Sequence, residues 1–203
     1  QILLGFRTAP KFHPDYHALR LMDMIIDNSV AGLINLDLVE KQKVRSAGCF
    51  PQNYNDYGVH FFYGIPKEGQ SLEEVEKLIL AQINRVKKGD FEDWVIPAVI
   101  TDFKKLEKEN RENNTKRVEL MRDTFLSFVD WETTNREIEV LEKLTKEDII
   151  RVANQYYGEN YVVGYRIDKQ HKLPSIEKPK IDPLDIDPDK ESCLVILSGK
   201  ADI

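Results

Sequence analysis

The stretch HPDYH, His13 to His17, holds two of the chain's four histidines, four residues apart. On a helix, that spacing turns both rings to one face, where they can grip one zinc ion. Pro14 works against it. A proline disfavours helical backbone in the residue before it, so His13 is expected in a cap or loop and His17 alone on the helix. No third ligand is a forced choice: His60 falls in a strand-like segment and His171 in a proline-rich tail. The expected arrangement is therefore a helix N-terminus with two surface histidines and no metal. Other chemistries lack their residues. The sequence has no H-E-x-x-H or H-x-x-E-H, no G-x-S-x-G, no P-loop and no dinucleotide fingerprint. Cys49 could serve as a nucleophile, but its place in the run VRSAGCF points to a small core residue. The acids sit on helix faces, where solvation and pairing one turn apart explain them. Phe61, Phe62 and Tyr63 are expected in the core and on the sheet surface rather than as a stacking platform.

The totals narrow the classes. At 203 residues the chain suits one large domain, or one domain with a tail. Its size allows a single core without disulfide or metal staples. Net charge is -6 and the pI is near 5.4. No basic cluster dominates, which excludes a nucleic-acid backbone as the expected partner. The two cysteines, Cys49 and Cys193, are too few for a disulfide framework and are expected as free thiols. No apolar run approaches the length of a membrane span, and no signal peptide is visible. QILLGFRT opens the chain without an initiating Met, as in a fragment or processed product. Envelope and cytoplasm both remain open as compartments.

The elements that would position these residues follow from pattern. QILLGFRT reads as a strand, and HPDYHALRLMDMIIDN as a helix with Pro14 in its first turn. A short helix is expected around AGLINLDLVEK. VRSAGCF and YGVHFFYGI flank PQNYND, whose Asn53, Asn55 and Asp56 supply turn chemistry for a hairpin. Ser71 and Glu74 form a capping box for a helix whose stripe is Val75, Leu78, Ile79, Ile83 and Val86, closed by Gly89. The next helix should start at Asp90 or Asp93 and turn Trp94, Val95, Ala98, Val99 and Leu106 inward, with Pro97 in its first turn or at a kink. After a polar joint, ENRENNT, a helix carries Val118, Met121, Phe125 and Phe128. WETTNREIEVLEKL is a shorter helix, Thr145 and Asp148 cap one ending at Gly158, and YVVGYRI is a last strand. The fold class expected is α+β, a largely antiparallel sheet with helices packed on one face. Residues 1–168 form the domain. Residues 169–203 form a proline-rich linker, with Pro174, Pro179, Pro183 and Pro188, and the start of a following segment, in which CLVILSG reads as one more strand.

GFRTAP, HPDYHALRLMDMIIDN, LINLDLVEKQKVRSAG, a hairpin and a long helical block together resemble the pitrilysin/insulinase zinc metallopeptidases. The resemblance runs from Gln1 to Asp168. It is closest to the non-catalytic domain that follows the catalytic one in each half of those enzymes, and the tail looks like the linker between halves. TKEDIIRVANQYYGENYVVGYR is similar to the end of such domains. The resemblance implies two halves closing around unfolded peptides. Zinc and its activated water would lie in a separate catalytic domain with an inverted H-x-x-E-H motif and a Glu as general base. The supportive non-catalytic domain of the second half carries an Arg and a Tyr in a stretch like L-R-E-x-x-x-L-x-Y. Here Val39 and Ser46 stand in those places, and neither can donate to a developing oxyanion. No catalytic residue, no metal and no cofactor is expected in this chain, substrate-binding residues stay unassigned, and the second domain of the first half is the expected place. The expected partners are the catalytic domain, the second half of the same protein or a paired subunit, and peptide substrates. The chain alone is expected to hydrolyse nothing. The alternative is a scaffold of the same fold, since inactive relatives serve as structural subunits of membrane-bound complexes. An independent zinc enzyme using His13 and His17 ranks last.

Overall fold

Residues Ile2–Thr8 form strand β1, which alternates between a buried face (Ile2, Leu4, Phe6, Thr8) and a more open one, as the two-residue period of a strand requires. The computed structural model describes residues 1–28, 31–168, 177, 179 and 180. In it β1 lies between the hairpin strand β3 (Gly58–Ile65) and the late strand β4 (Val162–Tyr165), with β2 (Ser46–Asn53) outside β3. The order is β2-β3-β1-β4 and every pair is antiparallel. The register sets Phe6 opposite His60 and Leu4 opposite Phe62, so β1 and β3 present one continuous apolar face. Phe6 and Phe62 meet edge to face, with ring centroids 5.7 Å apart.

Helices cover that face. Helix α1 (Tyr16–Ile26) buries Ala18, Leu19, Met22, Ile25 and Ile26, the helical spacing read from the sequence. It starts two residues later than Pro14, because residues 11–15 are turns: the Tyr16 N–H donates to the His13 carbonyl at 2.9 Å. Helix α2 (Leu72–Lys88) has the expected capping box of Ser71 and Glu74 and ends at Gly89, whose φ of 69° is the left-handed cap. It sits hard on β3 at Gly64, where a Cβ would lie 2.4 Å from Val75 Cγ1. Helix α7 (Lys146–Tyr156), capped by Thr145 and Asp148, packs on α1 and α2. The buried apolar residues of sheet and helices form one cluster. A fully buried Phe, Ile or Leu in it stabilises the fold by about 1.5–3 kcal/mol relative to exposure.

The structure departs from expectation in several places. The segment expected as a short helix around AGLINLDLVEK is wound as a π-helix over Asn35–Val39. The hairpin strand β2 runs on through Pro51 to Asn53, so the turn is at residues 54–57. Pro51 is tolerated because β2 is an edge strand. Helix α3 (Val95–Glu112) buries Ile96, Val99, Ile100 and Phe103, while Trp94, Ala98 and Leu106 face outward. The stripe that wins is the one that keeps Ile96, Val99, Ile100 and Phe103 on one face. Pro97 lies in the first turn of α3. The polar joint shrinks to Asn113, whose side chain accepts from the Lys116 N–H and starts α4 (Asn114–Leu126). WETTNREIEVLEKL breaks into α5 (Trp131–Asn135) and α6 (Glu137–Leu141), and α7 ends at Tyr156 rather than Gly158. Contacts group Gln1–Ile167 as one compact unit. CLVILSG, His171 and Cys193 lie outside the described residues. Among the described residues no helix is long and apolar enough to cross a membrane.

Candidate functional site

HPDYH opens onto a groove of about 680 Å³ walled by α1, α3, α4, α5 and α6. Its histidines do not act as a pair. His13 stays in the turn before α1, where its Nδ1 accepts the Asp15 N–H at 3.1 Å. His17 is on α1, and its buried Nδ1 lies 3.5 Å from Glu137 Oε1, long for a hydrogen bond. Asp15, between them, is buried and faces α7: Arg151 donates to Oδ1 at 2.6 Å and the Tyr156 hydroxyl to Oδ2 at 2.8 Å. Burial raises the Asp15 carboxyl, but those two donors outweigh it and hold it below the usual range. Tyr156 is pushed up to about 12 by burial and by the same carboxylate.

One turn along α1, Arg20 is ion-paired with Glu137 and lies between the rings of Phe103 (5.0 Å) and Tyr16 (5.8 Å). Burial pushes the Glu137 carboxyl up. His17 and the Arg20 guanidinium pull it down further, to about 2. Lys11, at the groove's rim, is lowered chiefly by burial. The walls between these charges are apolar: Phe12, Leu106, Leu120, Val129, Ile138 and Leu141. The groove thus has charges satisfied mostly by one another, and no residue in it pairs a nucleophile with a base. It can bind a chain that is part apolar and part polar, and it offers no catalytic constellation.

Val39 ends the π-helical segment and packs against the core, and Ser46 begins β2, half-buried. Phe62 is in the core, whereas Phe61 and Tyr63 lie half-buried on the sheet's other face. Cys49 is a free thiol packed against the core, as its strand position suggested. The structure adds what spacing could not show: Cys49 and the buried His60 come together with Asp23 of α1. Asp23 went unnoticed in sequence, although an acid inside LMDMII, between the buried Met22 and Ile26, was a signal. His13 and His17 belong to no group of metal-binding donors among the described residues.

Comparison with known proteins gives this geometry its context. Residues 1–101 match the family model described as the peptidase M16 inactive domain. No curated protein matches the chain. Among solved structures, a protease from Helicobacter pylori shares the fold at 20% identity and a TM-score of 0.75, over 80% of this chain and 40% of that one. The inactive peptidase domain of a candidate zinc protease from Bordetella parapertussis does so at 15% identity and a TM-score of 0.72, over 85% of this chain and 95% of that one. A chain of complex III2 from Candida albicans has the same fold at 12% identity and a TM-score of 0.66, over 80% of this chain and 41% of that one. The chain therefore spans about 40% of the Helicobacter protease and nearly the whole Bordetella domain. Residues 1–101 are thus similar to the peptidase M16 inactive domain, and the chain shares the fold of such a domain.

Proposed function

We propose that this domain is a non-catalytic wall of a zinc-dependent endopeptidase. It packs beside a catalytic domain, helps to enclose an unfolded peptide and cleaves nothing by itself. The observation that carries this reading is the match to an inactive peptidase domain over residues 1–101, in a chain without H-x-x-E-H. Zinc of that kind has no ligand set here, so it belongs to the catalytic domain. The groove beside HPDYH supports the reading as a surface for an extended peptide, since apolar walls and fixed charges suit mixed side chains. A second reading is a scaffold in a multi-subunit complex, favoured by the shared fold of a complex III2 chain.

The test is cleavage of a quenched-fluorescent peptide library by this chain alone, and by the H-x-x-E-H polypeptide encoded with it in the presence of this chain. The expected result is no hydrolysis by the chain alone and chelator-sensitive hydrolysis by the pair. A pair that stays inert refutes the peptidase reading and leaves the scaffold.

A further inference from the structure

We propose that Asp23, Cys49 and His60 form a binding site for a zinc-like divalent transition metal ion, separate from any catalytic zinc. Three elements converge there: Asp23 from α1, Cys49 from β2 and His60 from β3. Their donor atoms all lie within 4.8 Å of one another. Both His60 and Cys49 approach a single oxygen. His60 Nε2 lies 2.8 Å from Asp23 Oδ1, and the Cys49 thiol donates to the same Oδ1 at 3.3 Å. An ion bonded at about 2.0–2.3 Å to each donor needs donors about 3.3–3.7 Å apart. The two spacings to Asp23 Oδ1, 2.8 and 3.3 Å, lie close to that, and the Cys49–His60 pair, within 4.8 Å, closes by side-chain adjustment.

The surroundings are those of a held ligand set. The Tyr157 hydroxyl lies 2.5 Å from His60 Nδ1, on the far side of the ring from Asp23, and fixes the imidazole's orientation. Asp27 Oδ2 accepts the Cys49 N–H at 2.9 Å and pins the edge strand at the thiol. His60 is sealed from solvent, while Asp23 and Cys49 are only partly so, and an ion would enter from their side. Thiolate, imidazole and carboxylate together favour zinc or cobalt over magnesium or calcium. Binding releases the thiol proton to solvent, and His60 binds through Nε2 as the neutral Nδ1–H tautomer. Without an ion, burial and the carboxylates of Asp23 and Asp27 push the Cys49 thiol well up, so it is a poor nucleophile.

The test is a cobalt(II) titration of the metal-stripped 203-residue chain, followed by displacement with zinc. The expected result is one equivalent bound, with a thiolate-to-cobalt charge-transfer band and four-coordinate visible bands that zinc removes. Cys49→Ser should abolish the charge-transfer band. Asp23→Asn should weaken binding at least tenfold while keeping that band. Circular dichroism checks the fold of each, and Asp23→Asn decides if Cys49→Ser does not fold. Cys193→Ser and the double variant His13→Ala/His17→Ala should leave the titration unchanged. No band in the wild-type chain, a band that survives Cys49→Ser, or one lost in Cys193→Ser or the histidine double variant would overturn the proposal. None of these readouts involves peptide cleavage, so the site stands or falls independently of the peptidase reading.

Discussion

Replacing Glu137 with glutamine removes one charge from the groove and leaves the half-buried Arg20, between Tyr16 and Phe103, without its ion-pair partner. A carboxyl that ordinarily titrates near 4.5 and is held at about 2 contributes about 3 kcal/mol of folding stability at neutral pH. Because the folded-state value is the lower one, that contribution is complete above pH 4.5. It drains away as the pH falls towards 2. Glutamine keeps an acceptor for the guanidinium, so the expected loss for Glu137→Gln at pH 7 is about 2–3 kcal/mol. For a domain of this size that lowers Tm by about 4–12 °C. The assay is urea unfolding of wild type and variant followed by circular dichroism at pH 7, 5, 3 and 2. The gap between the two curves should be widest at pH 7 and close by pH 2. A gap under about 0.5 kcal/mol at pH 7, or one of equal size at pH 2, would show that Arg20 and Glu137 are not coupled as described.

Phe62→Ala opens a cavity at the contact of Phe6, His60 and Tyr157 and should cost about 3–5 kcal/mol, read from the urea midpoint at unchanged slope. Gly89→Ala puts a Cβ at positive φ and 2.7 Å from Ile150 Cδ1. It should cost more than about 1 kcal/mol, and a neutral result by thermal melt would contradict the described cap. Phe125 and Phe128 are 78% and 87% exposed, so Phe125→Ser/Phe128→Ser should leave Tm within about 2 °C of wild type. A larger fall would show that these rings are buried in solution.

Local signals carried far along this chain. Ser71 with Glu74, Thr145 with Asp148 and Gly89 announced their helix ends, because a cap is satisfied within four residues of itself. The alternation of β1 and β3 was equally plain. What sequence concealed were choices settled by distant neighbours. The face of α3 depends on α1 and α6, and Trp94 and Leu106 lost to Ile96 and Phe103 only once those helices were in place. Asn35–Val39 gave no sign of π winding. The histidine pair drew the eye by spacing, yet the donors that converge are His60, Cys49 and Asp23, whose nearness is made by strand register and by the seating of α1 on the sheet.

The placing of β1 bears on the order in which the chain is made. The strand is made before all of its partners, and one of its two neighbours, β4, lies near the end of the described domain. Until Val162 arrives, one side of β1 has no partner, and the hairpin of β2 and β3 can occupy only the other. Asp15 likewise waits for Arg151, and Arg20 for Glu137. Closure of the sheet is therefore a late event governed by contacts far apart in sequence, which slows folding. During synthesis the nascent domain exposes an apolar strand with a free edge, the feature that invites pairing with other chains. Release of a polypeptide truncated before β4 would make that exposure permanent.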